Sequence, residues 1–319
     1  MSTTTKSQKE SGYSKISFSS SMYVYAGLVL LAWGIVPMLA KYVSLPGSTT
    51  AMVVNWSALV AVFFIMLVTR NLWQFKYLSR YWKQFTLVGM VWPLLYSIAY
   101  FESIKQGSAS LTTLLNYTWP LFAALILLVV RKVYISRPAA IALIVSVIIL
   151  ALSISTDGTL QLNGWLPIVL GIVAAATQGF FNIEGQNEER YPSSLVWLMT
   201  FVGALVTAVG ATAFTVLSGE NITLASIDIT SLWPLVLIGA FSNGIGFWAF
   251  LKASKLSSSD GGEREQSFWL MMTFVPVVQV ALLPIVGLEQ IDNWRIIALI
   301  GICINFAVYQ FWAHKVKTS

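Results

Sequence analysis

Amide and aromatic side chains recur at helical spacing inside apolar runs of this sequence. Tyr96 and Tyr100 stand at i, i+4, as do Gln178 and Asn182, so each pair shares one face of a helix. Trp33 precedes Gly34, and Asn116-Tyr117-Thr118-Trp119-Pro120 places an amide, two aromatics and a proline in one short run. Trp248, Trp269 and Gln279 are the candidates of the second half. Aromatic faces stack on apolar or aromatic groups and attract an ammonium. Amides hold a carboxylate or an amine without a fixed charge. In hydrocarbon such polar groups are costly unless they face a partner or water, so they point to a pathway or to helix contacts. This set predicts a cavity suited to zwitterions or organic cations of modest size. The competing use of aromatics is an interfacial belt, for which 13 Trp leave ample supply.

Other chemistries are poorly served. Glu102, three residues before Lys105, and Glu184 are expected near the ends of their apolar runs, as interfacial carboxylates with counter-ions nearby. They are also the candidates for proton coupling. With no acidic residue placed at mid-membrane, the expectation is a facilitative carrier. The single Cys303 excludes a disulfide framework and a cysteine-based metal cluster. The single His314, beside Lys315, excludes a His-rich metal site, and no metal or cofactor is expected. An intramembrane enzyme would need a His/carboxylate cluster or an activated nucleophile, and the apolar runs hold neither. Pro120 and Pro276 are expected to kink their helices by removing a backbone hydrogen bond, which can serve gating.

The elements that must position these residues are membrane spans. Apolar residues make up 57% of 319 positions and charged residues 10%, against about 25% charged in a soluble domain. A span needs about 20 mostly apolar residues. Ten stretches qualify: 22–40, 51–69, 84–101, 107–130, 138–155, 164–183, 194–217, 231–251, 267–287 and 294–313. At about 1.5 Å per residue, Asn116 lies about 14 Å inside its helix, near mid-depth. Residues 1–21, rich in Ser, Thr and Lys, are expected as a disordered tail, and residues 314–319 as a second tail. The first apolar stretch is longer than a signal-peptide core and is expected to be retained.

Basic residues alternate sides. Lys6, Lys9 and Lys15 precede the first stretch, and Arg70, Lys76, Arg80 and Lys83 follow the second. Arg131, Lys132 and Arg137 follow the fourth, Arg190 the sixth, and Lys252, Lys255 and Arg264 the eighth. Lys315 and Lys317 follow the tenth, and only Lys41, Lys105 and Arg295 of the 19 basic residues fall on the other side. Basic loops stay cytoplasmic, which places both termini inside. The +6 charge thus serves orientation and anionic lipid, not nucleic acid.

The stretches also divide into two sets of five, 22–155 and 156–313. Trp33-Gly34 in the first stretch has a counterpart in Gln178-Gly179 in the sixth, and Asn116 to Pro120 in the fourth has one in Met272 to Pro276 in the ninth. The wider separation of Lys255 from Pro276 than of Lys105 from Pro120 matches the polar insertion Ser259-Asp260-Gly261-Gly262-Glu263-Arg264. An odd number of spans per copy inverts the second copy. Inverted repeats place a site near the midplane and support alternating access. The expected fold is therefore an all-α membrane protein of ten transmembrane helices, as two inverted five-helix repeats around a central cavity.

These residues resemble a known family. Trp33-Gly34 followed by Lys41 looks like the first-helix motif of EamA-type carriers in the drug/metabolite transporter superfamily. Gly107-Ser108-Ala109-Ser110 through Pro120 looks like the family's fourth helix, and its Asn-Tyr-x-Trp-Pro run is similar to exporters of aromatic amino acids of the YddG type. Two departures stand out: Arg131-Lys132 where many members carry Gly-Glu, and the linker Asp260 to Glu265; Gly287-Leu288-Glu289 after the ninth stretch is more in keeping. The resemblance implies export of metabolites across an inner membrane, most directly amino acids including aromatic ones, with a multidrug or quaternary-ammonium exporter as the alternative. The implied partners are a small-molecule substrate and membrane lipid, and a monomer suffices. An anionic substrate would want buried Lys or Arg, for which only Lys41 and Lys105 lie near the outer mouth.

Overall fold

The computed structural model describes residues 12–129, 164–184, 187, 190–219, 229–258, 268, 271–272, 274–291 and 293–318, with isolated positions between 137 and 149. No strand occurs among the described residues. The first apolar stretch forms α1 (Gly12–Gly34) and α2 (Val36–Tyr42), and the second forms α3 (Gly47–Val68). The third is a composite: a 3-10 segment (Asn71–Tyr77), α4 (Leu78–Gly89), a wide π-type segment (Met90–Leu95) and α5 (Tyr96–Gln106). The fourth divides into α6 (Ala109–Asn116) and α7 (Trp119–Val129). Then come α8 (Leu166–Glu184), a 3-10 turn (Ser193–Leu195) and α9 (Val196–Leu217). A second composite follows: α10 (Ile229–Leu237), a π-type segment (Ile238–Gly246) and α11 (Phe247–Ser258). The last described helices are α12 (Val275–Ile285) and α13 (Asn293–Thr318). The expected fifth stretch lies outside the described residues, apart from isolated helical positions.

Among the described residues six segments are long and apolar enough to cross a membrane: Ser21–Tyr42, Gly47–Val68, Asn71–Gln106, Leu166–Glu184, Ser193–Leu217 and Leu232–Ser257. Helices suit this setting because their backbone groups bond within the segment. Large apolar side chains such as Phe64, Val68, Val209 and Leu217 face outward, as a lipid-facing surface requires.

Several boundaries differ from expectation, for local reasons. α1 starts at Gly12, inside the stretch expected as a tail, and no proline interrupts it before Gly34. α13 runs on to Thr318, through the stretch expected as the second tail. α3 starts at Gly47 because Ser48, Thr49 and Thr50, which look like loop residues, are buried against neighbouring helices.

Breaks inside the spans fall where sequence chemistry invites them. Pro37 stands in the first turn of α2, and Pro276 in the first turn of α12, where a missing N–H costs nothing. The helix also breaks at Tyr117 and Thr118, ahead of Pro120. Trp92 leaves helical geometry (φ −145°, ψ 119°) beside Pro93. In the second composite span, Gly239 lets the backbone approach α3: a Cβ there would lie 2.1 Å from the Val54 carbonyl oxygen.

Packing ties the early helices to the late ones. α3 lies along α9, α1 along α11, and α5 along α8, while α8 also meets α6 and α7. The buried apolar residues form two large clusters, one around Phe85, Phe181 and Phe268 and another around Leu39, Ile104 and Leu283.

Candidate functional site

Side chains from both clusters surround one cavity of about 960 Å³, its open mouth included. Its walls come from the ends and breaks of the spans. Trp33 stands at the end of α1, Tyr96 and Tyr100 on α5 just past the π-type segment, and Asn116, Tyr117 and Trp119 around the break between α6 and α7. α8 contributes Gln178 and Asn182 on one face, and α12 contributes Gln279.

The polar geometry is specific. The Gln279 amide donates to the Trp33 carbonyl oxygen at 2.8 Å, and because that carbonyl can only accept, the orientation of Gln279 is set with Oε1 left over. The Trp92 indole N–H donates to Gln178 Oε1 at 2.6 Å, which orients that amide in turn. The Asn116 amide donates to the Tyr96 hydroxyl at 3.2 Å. Asn116 Oδ1, Gln279 Oε1 and both polar atoms of Asn182 are buried without a hydrogen-bond partner. An unmade buried hydrogen bond costs about 1–3 kcal/mol, so these atoms are poised for a ligand or water. Around them the rings are packed: Trp92 on Phe181 (4.2 Å, 20°), Tyr96 on Tyr100 (5.4 Å, 11°) and Trp33 against Phe250 (5.0 Å, 33°). Among the described residues no charged side chain lines the cavity.

Other expected site residues sit elsewhere. Trp248 is not in the wall; it stacks on Trp197 at 4.6 Å and meets the edge of Tyr25 at 5.2 Å. Trp269 lies outside the described residues. Pro120 and Pro276 each stand shortly after a helix break, and Pro276 is not among the lining residues. Glu102 and Glu184 are not among the lining residues: Glu102 accepts from the Ser48 backbone N–H at 2.6 Å and from Gln106 at 2.9 Å, and Glu184 pairs with Arg190 at 2.9 Å.

The structure adds lining residues that the sequence reading left out. Asn55 and Asn243 bond to each other at 3.3 Å across α3 and the second π-type segment. Each is a lone amide in an apolar run, the same signal that singled out Asn116. Trp92-Pro93 repeats the Trp119-Pro120 pattern and could have been found by it.

At the end of the molecule where α2 finishes and α6 begins, a carboxylate from the late part of the chain is tied to the early part. Glu289 accepts from Ser108 Oγ (2.5 Å), Ala109 N (3.0 Å), Ser110 N (3.3 Å) and the Ser110 hydroxyl. It thereby satisfies free N–H groups at the start of α6. Lys41 donates to the Ile104 and Gly107 carbonyls (3.4 and 3.0 Å), and Lys105 to those of Ala40 and Val43.

Comparisons with known proteins agree with this picture. No curated protein matches the sequence. A crystal structure of another protein, 16% identical, shares the fold with a TM-score of 0.66 over 94% of this chain and 99% of that one. Residues 20–155 match the EamA-like transporter family, so this is a multi-pass helical membrane protein whose first half is similar to transporters of that family.

Proposed function

We propose that the chain is a carrier of the drug/metabolite transporter type that moves small neutral or zwitterionic metabolites through this cavity by alternating access. The observation that carries the reading is the wall itself: six amides (Asn55, Asn116, Gln178, Asn182, Asn243, Gln279) set among aromatic faces, with no charged side chain among the described residues. Amides offer both donors and acceptors, which suits a group carrying an ammonium and a carboxylate. The rings suit an apolar or aromatic side chain. Amino acids including aromatic ones are the best fit, in line with the resemblance of Asn116 to Pro120 to aromatic amino acid exporters.

The architecture proposed for this carrier is ten spans in two inverted repeats, with both termini on the cytoplasmic side of an inner membrane. Packing supports it, because exchanging the halves preserves the contacts. α1 lies on α11 as α8 lies on α5, and α3 meets Ile238–Gly246 as α9 meets Met90–Leu95. Lysines repeat the relation too: Lys105 donates to carbonyls after the first span and Lys255 to the Tyr191 carbonyl after the sixth. Transport is proposed to be facilitative, since no carboxylate lines the cavity among the described residues.

The test is uptake of labelled aromatic and aliphatic amino acids into proteoliposomes, with and without an imposed pH gradient. Saturable uptake that ignores the gradient is expected, and Trp33→Ala should weaken it about tenfold while the protein stays folded, as loss of a ring contact worth about 1 kcal/mol plus its buried area implies. Transport of an organic cation but of no amino acid would replace this reading with a drug exporter, which the same aromatic faces would serve.

A further inference from the structure

The stretch Arg70–Lys83 between the second and third spans carries a charged face that the transport reading does not use. The segment Asn71–Gln106 has 36 residues. As a helix it would be about 54 Å long, against about 30 Å of hydrocarbon, so its first part must lie at the membrane boundary. The 3-10 segment and the start of α4 form that part.

The stretch has an inner and an outer face. Inward, Gln74 is buried and its Oε1 accepts from the Leu198 backbone N–H of α9 at 2.9 Å, while Phe75 packs edge-on against Phe201 at 5.0 Å. Outward lie Lys76, Arg80 and Lys83 together with Trp73 and Trp82, which are 46% and 49% exposed. Each of these cations lies over a ring of its own segment. Lys76 sits 5.0 Å from the Tyr77 centroid and 5.5 Å from that of Trp73, Arg80 5.4 Å from Tyr81, and Lys83 5.8 Å from Trp82. A ring face leaves the N–H donors of a cation free to bond elsewhere. No Asp or Glu occurs between Gly12 and Phe101, and among the described residues none of these three cations makes an ion pair.

We propose that this face binds the phosphate headgroups of anionic phospholipid. The cations supply charge and donors at headgroup level, and Trp73 and Trp82 sit where amphipathic rings anchor to the interface. An acidic protein would answer the charge, but the two exposed tryptophans at a span end call for a partner that is apolar just below its anionic surface. Because Gln74 of the same stretch holds the start of α9, bound lipid steadies the contact between the first half of the chain and the second.

The experiment measures retention of phosphatidylglycerol against phosphatidylcholine by the purified protein, by native mass spectrometry and by the shift in thermal unfolding on lipid addition. The wild-type chain should retain phosphatidylglycerol and be stabilised by it. The variant Lys76→Gln/Arg80→Gln/Lys83→Gln should bind it about a hundredfold more weakly, at about 1 kcal/mol per cation. Lys6→Gln/Lys9→Gln/Lys15→Gln, which removes the same charge from the N-terminal stretch, should bind as wild type. Trp73→Ala/Trp82→Ala should weaken binding with charge unchanged. Should the triple variant not fold, the single variants carry the test, each expected to lose about fivefold. Equal retention by the Lys76/Arg80/Lys83 variant, equal loss in both charge variants, or equal protection by inorganic phosphate or polyglutamate would overturn the proposal. None of these outcomes depends on what the cavity carries.

Discussion

The two ends of this molecule use the same charged residue types in opposite ways. At the end where α2 finishes and α6 begins, Lys41, Lys105, Glu102 and Glu289 all reach backbone groups of neighbouring elements. At the other end Lys255 also reaches a backbone carbonyl, that of Tyr191, but in the boundary stretch Lys76, Arg80 and Lys83 lie over aromatic rings and face outward. The difference follows from what each end must satisfy. Helix termini that stop among packed helices leave carbonyl and N–H groups that water cannot reach, and a long charged side chain can answer several of them at once. Where the chain lies along the boundary, backbone groups are answered locally, and the charges are left for the surroundings. Two of the three exceptions to the one-sided distribution of basic residues thus have a reason: Lys41 and Lys105 serve the backbone.

This contrast can be tested by removing one charged or capping group at a time. The largest effect is expected from Glu289→Ala, which deletes four hydrogen bonds between the late and early parts of the chain; unfolding in detergent should show a loss of about 3 kcal/mol. Lys105→Met keeps the length of the side chain but leaves the Ala40 and Val43 carbonyls bare, for a loss of about 2 kcal/mol in the same assay. Gln74→Ala removes the one side-chain cap that the boundary stretch gives α9 and should cost about 1 kcal/mol, with faster amide exchange at Leu198 as its local sign. The smallest change is expected from Lys83→Gln, within about 0.5 kcal/mol in lipid-free detergent. A Lys83→Gln loss as large as that of Lys105→Met would erase the distinction between the two ends.

Much of the cavity was legible because an amide in an apolar run has few uses. Asn116, Gln178, Asn182 and Gln279 were singled out on that ground and Trp33 for its ring before Gly34, and the structure brings all five to one wall. Asn55 and Asn243 carry the same signal and were passed over, since neither stands in a motif. Trp248 shows the limit of the rule for aromatics: its neighbour in the fold is Trp197, a partner remote in sequence, and nothing local distinguishes a ring that packs from one that lines. Glu289 shows the limit for carboxylates. Attention fell on Glu102 and Glu184 by position in their helices, whereas the carboxylate joining distant parts of the chain stands in a short loop.

Hydrophobic runs and their breaks are properties of local composition, so the sequence alone determined that this chain is helical, membrane-spanning and interrupted near Pro120 and Pro276. Local composition also determined which polar side chains would need partners. Only the tertiary structure decided which partner each one found. Gln279 meets Trp33, Trp92 meets Gln178 and Glu289 meets Ser108 across long separations in the chain. Those pairings depend on the order in which helices pack side by side, and that order is set by the shape of whole helix faces rather than by any residue's own neighbours.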